Sequence, residues 1–175
     1  RLDTSGLVVD KNRRTTIKTR IGAANQQIVR IDIEHTAYID DALQESIVQL
    51  LKASLPKTDV LIIEDYNKGL LSPELIKITL ELCKSYKVPV AVDPKQKNFF
   101  AYQAVEIFKP NYVEMQSNLG VRFETDAEFL EAAKKLRKKM RLKYLVVTRG
   151  SKGMFIVPSK GDIRHLPSYA REVYD

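Results

Sequence analysis

The chain contains few of the features that mark secreted or membrane-bound proteins. Cys83 is its only cysteine in 175 residues, so no disulfide framework is possible. No apolar run approaches the ~18 residues of a membrane-spanning helix, and no secretory signal is visible. These absences favour a reducing compartment, and we expect a cytoplasmic protein with no membrane partner.

Several catalytic and nucleotide-binding motifs are missing as well. The sequence shows neither a GxxxxGK[ST] loop nor a GxGxxG fingerprint, which disfavours P-loop and dinucleotide-binding proteins. No Ser-His-Asp constellation and no nucleophile elbow is visible. The composition is nevertheless that of a globular protein, with 44% hydrophobic and 29% charged residues, and the length suits one domain or a large part of one.

The net charge of +7 calls for an anionic partner or an anionic ligand. Nucleic acid is disfavoured because the basic residues are spread over predicted solvent-facing positions, and no aromatic residues interleave with a basic stripe. The charge therefore favours small anionic ligands, and we expect no nucleic-acid partner.

Apolar runs that end in polar residues recur along the chain, at 60–63, 88–92, 108–111 and 144–147. They alternate with helical patterns at a spacing of about 30 residues, which predicts a mainly parallel α/β sheet with helices on both faces. Ligands bind at the carboxyl edge of such sheets. The polar residues expected there are Asp65, Asp93 with Lys95, Asn111 with Glu114, and Thr148 with Arg149.

The segment before the sheet has a different pattern. Residues 15–21 and 28–34 alternate between apolar and polar side chains, which predicts an antiparallel hairpin with a turn at 22–25. We expect the hairpin to cover about residues 13–34 and the α/β part about 38–175, with a short strand at 7–9. The polar face of the hairpin carries Lys18, Arg20 and Arg30. It is either an ordinary solvated edge or a lid that closes over a phosphorylated substrate.

The carboxylates, amide and cations expected at the sheet edge suit a phosphate group and its divalent metal. Phosphoryl transfer depends mainly on positioning and charge stabilisation, and it also needs a base for the substrate hydroxyl. The sequence shows no convincing isolated base.

Five stretches in one order carry a resemblance to a known family. They are 14–20 with 25–34, Asp65-Tyr-Asn-Lys-Gly69, Asp93-Pro-Lys95 with Phe99 and Tyr102, Lys109-Pro-Asn-Tyr-Val-Glu114, and 148–154 with 171–175. Together they resemble the ribokinase-like (PfkB) carbohydrate kinases. Within that family the chain looks most like the heptose-7-phosphate kinase domain of the ADP-heptose synthases, which serve lipopolysaccharide core biosynthesis.

The resemblance implies transfer of the γ-phosphate of ATP, with Mg²⁺, to the C1 hydroxyl of D-glycero-β-D-manno-heptose 7-phosphate. It implies a nucleotide site at Asn111, Tyr112, Val113, Glu114, Thr148, Arg149, Gly150 and Gly153. Glu114 would help to organise the hydrated metal. Candidates for the sugar phosphate are Lys18, Arg20, Arg30, Lys68, Asp93 and Lys95. A homodimer formed through the lid strands is expected as well.

The chain departs from the family pattern at its carboxyl end. The catalytic signature Thr-Gly-Ala-Gly-Asp, which supplies an anion hole and the base, is expected one or two residues after Asp175. We therefore expect part of a longer kinase domain, inactive alone, with no catalytic residue within 1–175. The alternatives are another kinase of the superfamily, acting on a fructose- or tagatose-phosphate-like substrate, and a non-catalytic module that binds nucleotide or dimerises.

Overall fold

A computed structural model describes residues 3–23 and 26–169 of the chain. The strands are β1 (Ile17–Ala23), β2 (Gln26–Ile33), β3 (Leu61–Glu64), β4 (Val90–Asp93), β5 (Ile107–Phe108), β6 (Tyr144–Thr148), β7 (Met154–Pro158) and β8 (Arg164–Leu166). The α-helices are α1 (Asp41–Ser54), α2 (Pro73–Tyr86), α3 (Tyr112–Leu119) and α4 (Asp126–Lys139). None of the helices in the described ranges is long and apolar enough to cross a membrane.

The larger sheet has six strands in the order β3-β4-β5-β6-β7-β8. The first four are parallel, with Leu61 beside Val90 and Val92 beside Phe108, whereas β7 and β8 are antiparallel additions at one side. Antiparallel neighbours such as β6 and β7 can be joined by a short connection, whereas parallel neighbours need a crossover connection. Helix α2 lies in the crossover from β3 to β4, and α4 lies in the crossover from β5 to β6. The prediction of a mainly parallel sheet with helices is confirmed.

The core lies against one face of this sheet. Val92, Phe108 and Leu145 are at most 2% exposed and form one apolar cluster with side chains of α2, α3 and α4. Cys83 of α2 belongs to that cluster, and its burial raises the pKa of its thiol. The neighbouring residues of the strands point the other way, since side chains alternate between the faces, and Ile62 there is 64% exposed.

Side-chain caps fix where the helices begin. Ser72 and Thr125 cap α2 and α4, each accepting a hydrogen bond from a backbone N–H three residues on. At α1 the cap is Asp40, whose carboxylate accepts from the N–H of Leu43 at 2.8 Å. Helix α3 was not predicted, although Asn111 and Glu114 form a complete capping box at its start.

The smaller sheet is the predicted hairpin, which the structure confirms as antiparallel β1 and β2. Every residue of the two strands except Asp32 is exposed. The predicted turn lies partly outside the described residues, at 24 and 25, and so does the 171–175 stretch.

The predicted strand at 7–9 is wrong. These residues have no regular structure, and Leu7 and Val9 are 74% and 77% exposed. A single apolar triplet with no partner strand in register cannot satisfy its backbone as a strand, and here none lies beside it in the described part of the chain.

Candidate functional site

The carboxyl ends of the parallel strands meet at one edge, as the sequence predicts. The N–H of Asp65 donates to the carbonyl of Asp93 at 3.1 Å, which joins the exits of β3 and β4. Farther along the edge, Thr148 forms a parallel bridge with Asn111. The order of polar residues along the edge therefore follows the order of the strands, and the edge is the candidate site.

Asp65 faces the protein interior. Its side chain accepts hydrogen bonds from the hydroxyl of Tyr102 at 2.7 Å, the amide of Asn98 at 3.2 Å and the N–H of Asn67 at 2.8 Å. The residue is 4% exposed. Burial, and then the bond to the Asp65 carboxylate, raise the pKa of Tyr102, which stays a neutral donor. Asp65 therefore fixes the loop after β3, and its carboxylate is already occupied.

Two ion pairs cross the middle of the edge. Lys109 contacts Asp93 at 2.7 Å, and Lys95 donates to the carboxylate of Glu114. The Glu114 side chain is only 15% exposed, against 40% for Lys95. The bond to Glu114 raises the pKa of Lys95, despite the opposing effect of partial burial. Each carboxylate thus has a cation beside it, and a ligand bound here meets paired charges.

Glu114 also belongs to the N-terminus of α3. Its second carboxylate oxygen accepts from the N–H of Asn111 at 2.9 Å, and the Asn111 side chain accepts from the N–H of Glu114 at 2.8 Å. Tyr112 and Val113 make up the rest of this first turn, and Val113 is 67% exposed. A helix N-terminus carries a partial positive charge, so this turn presents a favourable surface to an anion.

Arg149, in the turn after β6, points its side chain toward the protein interior. The Arg149 guanidinium lies 4.7 Å from the ring of Tyr112 and 5.1 Å from that of Phe129, and it contacts Asp126 at 2.8 Å. Its side chain is 9% exposed. The guanidinium lies among aromatic rings and contacts Asp126, so the arginine holds the α3 and α4 helices against β6.

Glycines shape the same turn. Gly153 has φ of +80°, and a Cβ there would lie 2.0 Å from the carbonyl oxygen of Leu166, so only glycine fits. Gly150 has φ of +57° with open space where a Cβ would be. Thr148 lies beside the N-terminus of α3 through its bridge to Asn111, and the open space at Gly150 leaves room for a ligand to approach there.

A cleft of about 450 Å³ separates the start of the hairpin from the exit of β3. It is lined by Thr15, Thr16, Lys18, Glu64, Asp65, Tyr66, Lys68, Leu70 and Leu71. Lys68 is ion-paired with Glu34, and Lys18 lies 3.9 Å from Asp32. Arg20 and Arg30 lie farther out, on the hairpin face that carries Lys18.

The predicted residues thus fall into two groups. Asp93, Lys95 and Glu114 come together at the edge, and Lys18 and Lys68 come together at the cleft. Within residues 3–23 and 26–169, no three His, Cys, Asp or Glu side chains form a cluster that would hold a metal. No sequence pattern assigns a role to Lys109 or Tyr66, because their roles depend on contacts between different strands.

Comparison with known proteins identifies the family. The whole chain, residues 1–175, matches the description "pfkB family carbohydrate kinase". The chain belongs to the pfkB family of carbohydrate kinases. Among pfkB relatives, it is 37% identical over 174 residues to the bifunctional protein HldE of Geobacter metallireducens and 38% identical over 169 residues to that of Azorhizobium caulinodans. The two alignments include 99% and 97% of this chain but only 36% and 35% of the length of the two relatives.

Solved structures show the same pfkB fold. Phosphofructokinase-2 from Escherichia coli in complex with potassium aligns with a TM-score of 0.75 at 15% identity, over 91% of this chain and 52% of that one. Ribokinase from Giardia lamblia aligns with a TM-score of 0.69 at 18% identity, over 93% and 50%. The chain thus spans about half the length of these kinases and about a third of the curated relatives.

Proposed function

We propose that the protein containing this chain is an ATP-dependent kinase of a phosphorylated sugar. The observation that carries the proposal is that one edge of the sheet holds both a cleft lined by Lys18 and Lys68 and the N-terminus of α3, where Lys95 contacts Glu114. The two lysines of the cleft suit the phosphate of a sugar phosphate. The N-terminus of α3 suits the phosphates of a nucleotide. The resemblance of the sequence to heptose kinases makes D-glycero-β-D-manno-heptose 7-phosphate, phosphorylated at C1, the proposed substrate.

In this proposal the nucleotide lies along the α3 side of the edge. The residues assigned to it are Asn111, Tyr112, Val113, Glu114, Thr148, Arg149, Gly150 and Gly153. The backbone at Gly150, which has open space beside it, and the first turn of α3 would contact the nucleotide directly. Arg149 would act by holding that turn in place, because its guanidinium is enclosed by aromatic rings.

The donor set near Glu114 fits a hydrated magnesium ion better than a fully protein-bound one. Glu114 is the carboxylate at the helix N-terminus, and Asp93 lies at the neighbouring strand exit, so water and phosphate oxygens would complete the shell. Mg²⁺ would neutralise charge on the phosphates during transfer. Glu114 would hold the ion through water, and Lys95 would then be free to contact a phosphate.

The sugar phosphate is assigned to Lys18, Arg20, Arg30, Lys68, Asp93 and Lys95. Arg20 is the most available of these, since it has no hydrogen bond or ion pair with any side chain in the described ranges. Lys18 and Lys68 already lie on the cleft walls.

The test is a substrate panel with the full-length protein, ATP and Mg²⁺. Heptose 7-phosphate should be phosphorylated, and fructose 6-phosphate, tagatose 6-phosphate and unphosphorylated ribose should react far more slowly. A hexose phosphate that reacts while heptose 7-phosphate does not would replace the proposed substrate by that hexose phosphate. No phosphorylation of any sugar, despite ATP binding, would support a non-catalytic nucleotide-binding module instead.

We also propose that two copies associate through the apolar face of the hairpin. Ile17, Ile21, Val29, Ile31 and Ile33 share that face and are each 42–49% exposed. A two-stranded sheet with one uncovered aliphatic face is a typical docking surface. Ile31→Lys should shift the full-length protein toward monomer in sedimentation velocity, whereas Thr16→Lys on the opposite face should not; an unshifted Ile31→Lys protein would rule out this interface.

A further inference from the structure

The hairpin is joined to the α/β body by few contacts. Its strand residues are exposed, so no packed core fixes the angle between hairpin and body. The contacts near its base involve the loop after β3, whose residues also line the cleft. One is a backbone hydrogen bond, from the N–H of Ile39 to the carbonyl of Gly69 at 3.0 Å. The position of the hairpin over the cleft therefore depends on this small set.

Arg13 is the side chain that joins both ends of the hairpin to that loop. It precedes β1, and its guanidinium donates to the carbonyl of Lys68 at 2.5 Å and to the carbonyl of Ala37, which follows β2. Its Nε lies 3.6 Å from Asp10. A planar guanidinium can donate to two carbonyls at once, which the ammonium of a lysine cannot do with the same geometry. The two hydrogen bonds of Arg13 therefore depend on the planar geometry of the guanidinium as well as on its charge.

The Arg13 hydrogen bonds fix the position of Lys68. Its backbone carbonyl is held by Arg13, and its ammonium reaches across to Glu34 at the end of β2 while lining the cleft. The next residue, Gly69, packs so closely on Ala37 that a Cβ would lie 1.8 Å from the Ala37 oxygen. The loop therefore has little freedom to move unless the Arg13 contacts break.

The geometry points to Arg13 as a positioning residue for the sugar-phosphate site, an inference that rests on the proposed kinase function. Arg13 does not line the cleft. It acts through Lys68, by fixing the loop that carries the Lys68 ammonium against the base of the hairpin. A phosphate bound in the cleft would then meet Lys68 and Lys18 at a set separation, and the hairpin and loop would move as one unit.

The chain supplies a matched control beside Arg13. Arg14 is exposed and has no hydrogen bond or ion pair in the described part of the chain, so Arg14→Ala removes the same charge without the bridge. In the full-length protein, Arg13→Ala should raise KM for the sugar phosphate about 10-fold, the typical effect of losing one charge-assisted contact. KM for ATP should stay within about 2-fold of wild type, and Arg14→Ala should leave both values near wild type. Arg13→Lys should resemble Arg13→Ala.

A second measurement separates positioning from a general loss of structure. If Arg13 acts through Lys68, Arg13→Ala should add little to the KM effect of Lys68→Met, so the two effects should not sum. Additive effects in that double-mutant cycle, or equal rises in KM for sugar phosphate and ATP, would overturn the inference.

Hydrogen exchange tests the bridge independently of the enzyme assay. Arg13→Ala should speed amide exchange in the segments 37–39 and 66–70, and Arg14→Ala should not. If the wild-type protein bound no sugar phosphate, the proposed function would fail, and the exchange data alone would decide about Arg13. Unchanged exchange in Arg13→Ala would then overturn its positioning role, and faster exchange confined to those segments would sustain it.

Discussion

Arg20 and Arg30 are directly opposite each other in the hairpin ladder, on the same face of the sheet. Arg30 is compensated by Asp32 at 3.2 Å, whereas Arg20 has no ion pair with any described residue. Like charges in opposite positions destabilise an antiparallel pair, so the arrangement has a cost in the free protein. An anion bound between the two arginines would relieve that repulsion.

We therefore expect Arg20→Ala to weaken binding of the sugar phosphate by about 10-fold while barely changing ATP binding, because it removes one charged phosphate contact. Calorimetry on the full-length protein would measure both affinities. The melting temperature should stay the same or rise slightly, since the repulsion with Arg30 is lost.

Arg122→Ala is a suitable control for this prediction. Arg122 is exposed, does not line the cleft and has no ion pair in the described ranges, so its loss changes the net charge equally. Equal losses of sugar-phosphate and ATP affinity in Arg20→Ala, or no loss of either, would count against a phosphate site on the hairpin.

The Lys95–Glu114 pair leads to a prediction about magnesium. If Glu114 holds the hydrated ion, Lys95 competes with it for the carboxylate. Lys95→Met should then lower the Mg²⁺ concentration needed for half-maximal nucleotide binding, and Glu114→Gln should raise it, each by roughly two- to five-fold for a partly exposed pair. Nucleotide binding measured during a Mg²⁺ titration gives both values.

Lys143→Met controls for the general loss of a Lys–Glu pair. Lys143 pairs with Glu106 at the other end of the sheet, and the hydrogen bond to Glu106 raises the pKa of Lys143. This variant should leave the Mg²⁺ requirement unchanged. Shifts of the same sign in Lys95→Met and Glu114→Gln would show that Glu114 does not hold the metal.

The parallel part of the sheet could be predicted because β3, β4 and β6 are apolar runs that stand out from the rest of the sequence. The order of polar residues along the edge followed from the same runs, since parallel strands end at one side. Helix α3 could also have been found, because Asn111 and Glu114 have the spacing of a capping box, but the strand reading of 108–111 obscured it.

The pairing of side chains at the edge could not be predicted. Asp65 was placed at the edge correctly, yet its carboxylate turns inward because Asn98 and Tyr102, more than 30 residues later, donate to it. Arg149 is enclosed by aromatic rings from Tyr112, Phe129 and Phe155, which belong to three different elements. Such contacts exist only once the elements have packed, and no local pattern records them.

Gly69 provides a test of the close contact between the hairpin base and the loop after β3. Gly69→Ala should lower the free energy of unfolding by about 3 kcal/mol or more, because it combines a positive φ of +81° with a Cβ only 1.8 Å from the Ala37 oxygen. Gly120 has φ of +67° and open space around it, so Gly120→Ala should cost only about 1 kcal/mol.

Urea unfolding of the two variants measures the difference directly. Both variants lose free energy of unfolding because of the positive φ. The additional loss in Gly69→Ala measures the cost of the contact with Ala37. Equal destabilisation of both variants would mean that the loop yields easily, which would also weaken the case for a fixed hairpin base.

Tyr102 makes stability depend on alkaline pH. Burial and the bond to Asp65 raise its pKa above the ordinary value of 10.0, so the folded protein keeps a proton that the unfolded chain releases. The contribution of Tyr102 to the free energy of unfolding is fully present below pH 10, and it is lost as the pH rises toward the folded-state pKa of Tyr102. The free energy of unfolding should therefore fall by up to about 1.4 kcal/mol per pH unit above pH 10 from this group.

Tyr102→Phe removes the titrating group but leaves the Asp65 carboxylate with one donor fewer. The variant should be less stable at pH 7, by about 1–3 kcal/mol for a buried acceptor that loses a partner. Its stability should fall less steeply than that of wild type between pH 10 and 11, because Lys95 and Cys83 still titrate there while Tyr102 does not. Urea unfolding at several pH values gives both slopes. Parallel slopes would mean that the Tyr102 hydroxyl ionises in the folded protein as readily as in the unfolded chain, and the Asp65 network would then be open to water.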